Sequence, residues 1–546
     1  MRATAIALSS AAVALAKSVD YIVVGAGTTG LAVANRLSED PSVTVTVIDP
    51  GKDQHDNPLV YDLNGWAQAP GTEIDWNYDL VSPEFAKDKK LKLPQGKGWG
   101  GTSLINGKRV SVAWDSRYSR RWNTGMTYIR GDKAEFDAWE DLGNKGWNWE
   151  AILPYYKKAE KYSIPTDTHL AAGATYEKKY HGFEGHVHTG YPTTLKNTPF
   201  NPAVIETWEG LSLKHNPDLN SGHVHGFSIG PQTLDAEKDV RWDASRAYYL
   251  PIEKERKNLE IIQGTVKRIT WASQKRSRSS SKSGVVASGV EYFTPDNQTE
   301  TLEVSREVIV SAGAVRTPLV LESSGIGNPN LLESLGIDIV VDLPGVGENL
   351  IDQTNHMQIF NSSLEPSNAG FHIFVTAADL FGNDLPSIEA STRKNLPKWA
   401  KTIVEASTEG ALDIRAVEKL LQIQHDLIFK KKVTLSEIMC AGVAQGDTTF
   451  FGSPYWNLLP FARGSVHLKS ADAINDPVID PRFFLIDFDL DATVATAKLV
   501  RKFWTSEPMG DSVSGEISPG SDVVPGDATD EEWAAFHRNT GTCTFP

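Results

Sequence analysis

The apolar positions change period twice within the first fifty residues. Asp20-Tyr-Ile-Val-Val24 is an apolar, β-branched run, the pattern of a parallel strand buried on both faces. Leu31 to Leu37 follows helical spacing, and Val43 to Ile48 returns to strand character with Asp49 at its end. Strand, helix and strand in that order predict a βαβ unit. Farther along, Glu307-Val-Ile-Val310 predicts another strand. Farther on, Pro318 marks a plausible helix start, where a missing N–H costs least. Gly96 to Gly107 has neither period and is dense in glycine, so it predicts a loop that brings backbone close to a ligand. Lys275-Arg-Ser-Arg278 to Gly284 is basic and serine-rich between two strand-like runs, and is expected to be a solvated hairpin tip. There is no internal repeat.

Composition narrows the class. At 546 residues the chain exceeds one simple core of roughly 100–200 residues, so two or more interlocked domains are expected. Hydrophobic content of 40% excludes a disordered chain. A net charge of -15 argues against a nucleic-acid binder and against a polybasic membrane anchor. No stretch reaches the ~20 apolar residues of a spanning helix, so no membrane association is expected. Met1-Arg2 leads into an apolar run that closes with Ala14-Leu15-Ala16, which fits a signal peptide over residues 1–16. The alternative is a frayed N-terminal arm. Sequons at Asn297 and Asn361 agree with a secreted glycoprotein. Two cysteines, Cys440 and Cys543, exclude a disulfide-rich scaffold and a four-cysteine zinc site; one bridge is allowed, and no metal site is expected.

The candidate chemistry begins at the end of the first strand. Gly25-Ala-Gly27-Thr28-Thr29-Gly30 has the context that a dinucleotide fingerprint requires: a strand before, a helix after, a second strand, and Asp49 24 residues beyond Gly25. Gly25 permits the tight turn, Gly27 lets backbone approach a pyrophosphate, and Gly30 allows helix and strand to pack closely. The helix N-terminus then offers unpaired N–H groups to the diphosphate, and Asp49 can accept hydrogen bonds from a ribose. This motif alone does not separate FAD from NAD.

Further motifs do. Gly96-Lys-Gly-Trp-Gly-Gly-Thr-Ser-Leu-Ile-Asn-Gly107 and Ser311-Ala-Gly-Ala-Val-Arg-Thr-Pro318 with Leu319 to Gly327 resemble the two signatures of the glucose–methanol–choline (GMC) oxidoreductase family. Leu142 to Trp149 and Gly345 to Gln353 match as well, so the resemblance runs from about residue 19 to the end. Arg241 to Tyr249, Leu421 to Phe429 and Trp456 to Gly464 are similar to fungal FAD-dependent glucose dehydrogenases and glucose oxidases within that family.

The resemblance implies a mixed α/β (α+β) fold: a doubly wound FAD-binding domain and a second, substrate-binding domain carrying an antiparallel sheet. Residues 17–107, 230–350 and 530–546 would form the first, and 126–229 and 351–529 the second. It implies that Gly25, Gly27, Thr28, Thr29, Gly30 and Asp49 hold the ADP part of FAD. Gly101, Thr102, Ser103, Asn106, Gly107 and Thr127 would lie along the diphosphate and flavin, and Val266 would meet the adenine through its backbone. Glu437 and Trp456 match positions near the sugar. The implied reaction moves hydride from a carbinol carbon to flavin N5 while a histidine takes the hydroxyl proton, and electrons pass to oxygen or to a quinone or dye.

Three departures from the family pattern stand out. Residues 108–125, with Lys108, Arg109, Arg117, Arg120 and Arg121 against Asp115, form an atypical insertion between Gly107 and Met126. In His537-Arg-Asn-Thr-Gly-Thr-Cys543 the histidine stands one residue too far from Gly541-Thr542-Cys543. His537 is therefore either the shifted catalytic base or a helix residue beside a missing catalytic segment. The family also continues past Pro546, so the C-terminal part of the FAD-binding domain is expected to be truncated. Two functions stay open: an FAD enzyme for glucose or a related sugar or alcohol, aryl-alcohol and choline-type substrates included, or an inactive relic or incomplete gene model.

Overall fold

The computed structural model describes residues 18–63, 65–83, 90–107, 126–272, 284–367, 370–445, 448–472 and 474–543. The leader-like run, the 108–125 insertion and the basic stretch up to residue 283 lie outside the described residues.

The predicted βαβ unit forms. Strand β1 (Ser18–Val24) leads to helix α1 (Thr28–Leu37) and strand β2 (Val45–Asp49). Strands β3 (Leu259–Gln263), β4 (Thr265–Trp271), β5 (Ala287–Phe293) and β6 (Thr299–Val310) complete a six-stranded sheet. Its order is β3-β2-β1-β6-β5-β4. β3, β2, β1 and β6 pair in parallel; β5 and β4 add an antiparallel extension. The continuous apolar runs follow from burial on both faces. Val23, Val45 and Val47 pack into one core with Leu31 and Ala34 of α1, while Ile22, Val24 and Ile48 point into another with Leu319 and Val320. The latter pair belongs to α2 (Gly313–Ser323). Pro318 sits inside α2 and not near its start, because the helix already opens at Gly313.

A second sheet is antiparallel throughout. It contains β7 (Thr354–Ser362), β8 (Phe371–Val375), β9 (Ser436–Gln445), β10 (Thr448–Asn457) and β11 (Val513–Ser518), together with Gly226–Ile229. The order is β11-β7-β10-β9-β8 and then Gly226–Ile229. Phe360, Ile373, Ile438, Phe451 and Tyr455 on one face share a core with α3 (Asp487–Thr505) and α4 (Asp530–Thr540), through Val494, Trp504 and Trp533. Segment 530–546 was expected with the FAD-binding half; its helix packs here, and Thr542–Cys543 pairs with β7. Side chains alternate along a strand, so the opposite face carries Met357, Ile359 and Ala441, and also His372, Phe374, Glu437 and Trp456. Among the described residues no helix is long and apolar enough to cross a membrane.

A buried charge cluster braces α2 from behind. His467 lies between Glu322 of α2, at 2.7 Å, and Glu348, at 3.2 Å, and Leu468 N donates to Glu322. Burial alone would depress the imidazolium, but the two carboxylates outweigh it and push His467 up to about 9.

Candidate functional site

A cleft of about 350 Å³ opens where β1 and β6 end side by side. Gly25 turns the chain at φ +103°, and a Cβ there would sit 2.7 Å from Ser311 O, which follows β6. Gly30 is equally constrained, because a Cβ would come 2.0 Å from Gly25 O. Gly100 N donates to Ala26 O at 2.8 Å and draws the Gly96–Gly107 loop against this turn. Gly27 caps α1 with no side chain, and the first turn holds no acid. α2 likewise starts from Ala312 without a side-chain cap. Two helix N-termini with unpaired amides thus border one cleft, an arrangement suited to a diphosphate.

Asp49 closes β2 at the same cleft, accepting from Ala26 N at 2.8 Å and Gly51 N at 2.7 Å. Burial raises its pKa, and these amides with the charges of Arg316 and Lys97 pull it back. Each carboxylate oxygen keeps a lone pair for a ribose hydroxyl. The donor set, the uncapped helices and the acid fit an FAD adenylate and diphosphate.

Gly25, Gly27, Thr28, Thr29, Asp49, Gly101, Thr102 and Val266 line the cleft. Of the rest of the predicted set, Gly30, Ser103, Asn106 and Gly107 shape the turn and loop beside it, whereas Thr127 is not among the lining residues. Ser103 Oγ donates to Gly100 O at 2.6 Å and accepts from Ala244 N at 2.9 Å. Arg241, fully buried, clamps the loop by donating to Asn106 O at 3.0 Å and to the Asn106 side-chain oxygen. Desolvation pushes Arg241 down to about 10. Gly107 packs flat on Trp66, leaving 2.5 Å for a Cβ. Sequence reading missed Trp76, Tyr78, Gln95 and Lys97 as cleft residues, and gave Arg316 no role although it lies inside a quoted motif. The Trp-x-Tyr spacing beside the loop was the available signal.

The face of the antiparallel sheet turned away from α3 and α4 holds a second cluster around His372 and Glu437. Glu437 stands across the ladder from both Phe374 and Trp456. Its Oε1 lies 2.8 Å from His372 Nδ1, and His372 Nε2 is 3.3 Å from Thr127 Oγ1. Thr127 therefore meets the sheet through His372, while its backbone bridges Gln232. The carboxylate requires Nδ1 to carry the proton in the neutral ring, which makes Nε2 the basic nitrogen. His372 was missed in the sequence; a histidine alternating with apolar residues in Phe371-His-Ile-Phe374 was its only trace. Trp456 is buried beside this pair.

His537 occupies the other face. It is fully buried in α4, with Nδ1 2.6 Å from Trp533 O and Nε2 2.8 Å from Tyr455 Oη. The carbonyl can only accept, so Nδ1 donates and Nε2 accepts from the phenol. Burial pushes its pKa down to about 4. Both nitrogens are thus engaged within the core; His537, like His372 and Glu437, is not among the residues that line the cleft.

Comparisons with known proteins agree with this architecture. The GMC oxidoreductase family matches residues 19–355 and, through its C-terminal part, residues 460–545. The glucose oxidase-like protein fsoC of Humicola fuscoatra is 52% identical over 525 residues, 96% of this chain and 84% of that protein. A glucose oxidase of Aspergillus carbonarius is 33% identical, covering 97% of this chain and 84% of the relative. Among solved structures, an FAD-dependent oxidoreductase from Chaetomium thermophilum superposes with a TM-score of 0.81 at 23% identity, over 96% of this chain and 88% of that one. A fungal aryl-alcohol oxidase gives 0.78 at 22% identity, over 97% and 89%. These two share the fold.

Proposed function

This chain belongs to the GMC oxidoreductase family and is an FAD-dependent oxidoreductase acting on CH–OH donors; from that premise we propose that it oxidises glucose or a related sugar or alcohol and passes the electrons to oxygen. The observation that carries this reading is the cleft, where two uncapped helix N-termini and Asp49 meet beside Gly25. The relatives support the substrate, since one is named glucose oxidase-like and another glucose oxidase. FAD, when bound, supplies the acceptor for the hydride.

The protein's own residues hold the alcohol and take its proton. Glu437 orients His372, and His372 Nε2 is the nitrogen that receives the hydroxyl proton as the C–H bond breaks. Thr127 lies against that nitrogen at 3.3 Å. Trp456 walls the sugar side of the same sheet face. His537 has a supporting role, tying α4 to Tyr455 of β10. Secretion is supported by the leader-like residues 1–16 and by Asn297, which is exposed at a turn; Asn361 is half-buried in the ladder of β7 and is the poorer glycan acceptor.

The test is direct. Purified protein should be yellow, bleach under nitrogen on adding glucose, and regain colour with oxygen. A folded, colourless protein that takes up no added FAD would overturn the reading. Bleaching by aryl alcohols or choline but not by sugars would move the substrate class. Recolouring by quinones but not by oxygen would replace the acceptor.

A further inference from the structure

The cleft wall holds two buried donors whose bonding the protein leaves incomplete. Arg316, in the first turns of α2, is 7% exposed. Its Nη2 donates to Asn475 Oδ1 at 3.0 Å, and its guanidinium carbon lies 4.4 Å from the centre of the Trp76 ring. Its Nη1 has no partner at good hydrogen-bond geometry; the Tyr78 hydroxyl beside it can only accept from the guanidinium, which leaves the phenol O–H itself without an acceptor. Trp76 and Tyr78 are stacked at 5.7 Å, and Lys97 Nζ sits 4.8 Å from the Trp76 ring centre. All four side chains line the cleft that also contains Asp49.

A guanidinium cannot shed its charge at physiological pH, so a buried N–H without an acceptor is costly. The cost is recovered if a ligand oxygen completes the bond. The ligand group must accept from two donors at once and must prefer positive surroundings, since Arg316, Lys97 and the N-terminus of α2 converge there. Asp49 is the acceptor for ribose hydroxyls, and a carboxylate repels phosphate. The anionic oxygen therefore falls to the Arg316 side. We propose that Arg316 and Tyr78 grip the phosphate on the adenosine side of FAD, with Trp76 holding the guanidinium in place. This assignment rests on the cofactor and not on the proposed substrate, so it stands or falls whichever alcohol is oxidised.

The test reads FAD release from the holoprotein by the rise of flavin fluorescence on dilution. Arg316→Met keeps a stem over Trp76 and removes the donors. It should release FAD roughly 10- to 100-fold faster, the worth of a charged hydrogen bond. Arg316→Lys should recover part of that loss, and Tyr78→Phe should speed release about threefold to tenfold. ADP, which carries the phosphate, should compete with FAD rebinding less well in Arg316→Met than in the wild type. Adenosine, which lacks it, should compete equally with both. Release within about twofold of wild type in both Arg316→Met and Tyr78→Phe overturns the proposal. Equal weakening of ADP and adenosine overturns the phosphate assignment.

Discussion

The nucleotide cleft and the His372–Glu437 face of the antiparallel sheet are built by opposite means. The cleft is made largely of backbone: amides at two helix ends, a left-handed turn at Gly25, and a loop drawn in by Gly100. The sheet face is made of side chains, and its central contact, His372 with Glu437, joins residues 65 positions apart. Any residue type supplies an N–H, so a backbone site advertises itself locally through the glycines that make room for it. A side-chain site depends on strand register, which one local stretch does not reveal.

The largest test of that contrast is Gly25→Val. Its Cβ meets Ser311 O and its φ disfavours any side chain. Strain and overpacking together should cost on the order of 4 kcal/mol, leaving protein with no bound flavin by absorbance. The sheet face should fail differently. His372→Asn should slow flavin reduction by about 10²- to 10⁴-fold in stopped flow while FAD stays bound. Loss of FAD in parallel with rate would merge the two regions into one. Between them in kind is the brace behind α2. Glu322→Ala leaves His467 with Glu348 alone and Leu468 N without its acceptor, and should cost about 2 kcal/mol in a urea melt. His467 is raised when folded, so its contribution is full below the ordinary histidine pKa and lost as pH rises through about 9. Melting temperature should therefore fall over that range, and more shallowly in His467→Gln.

The smallest effect is expected at His537. Tyr455→Phe removes one buried bond and should cost about 1 kcal/mol, with flavin reduction unchanged. His537 is depressed when folded, so its contribution is full above the ordinary histidine pKa and lost as pH falls toward 4. A rate loss in Tyr455→Phe exceeding its stability loss would return His537 to the chemistry.

The βαβ unit was legible because its periods change at glycines and at Asp49, each with a local cause. The partner strand β6 was recognisable as a strand, but nothing local says that Val310 lies beside Val24. Arg316 was visible inside a motif, yet its meaning depends on Trp76 and Tyr78, which arrive from a distant hairpin. Pro318 misled because the preference for a helix start is local, whereas Gly313 had already set that start. His537 carried the right residue type; only packing shows that its nitrogens are taken by Trp533 and Tyr455.

Ser311 reaches Gly25 across 286 residues of chain. The floor of the cleft thus exists only after one of the most distant strand pairings in the molecule has closed, a slow event because loop closure precedes any reward from contact. FAD has no complete seat on a half-made chain. In a refolding reaction the cofactor should leave the early phases untouched and draw only the last one forward, so the appearance of protein-bound colour marks the moment when the two ends of this sheet have met.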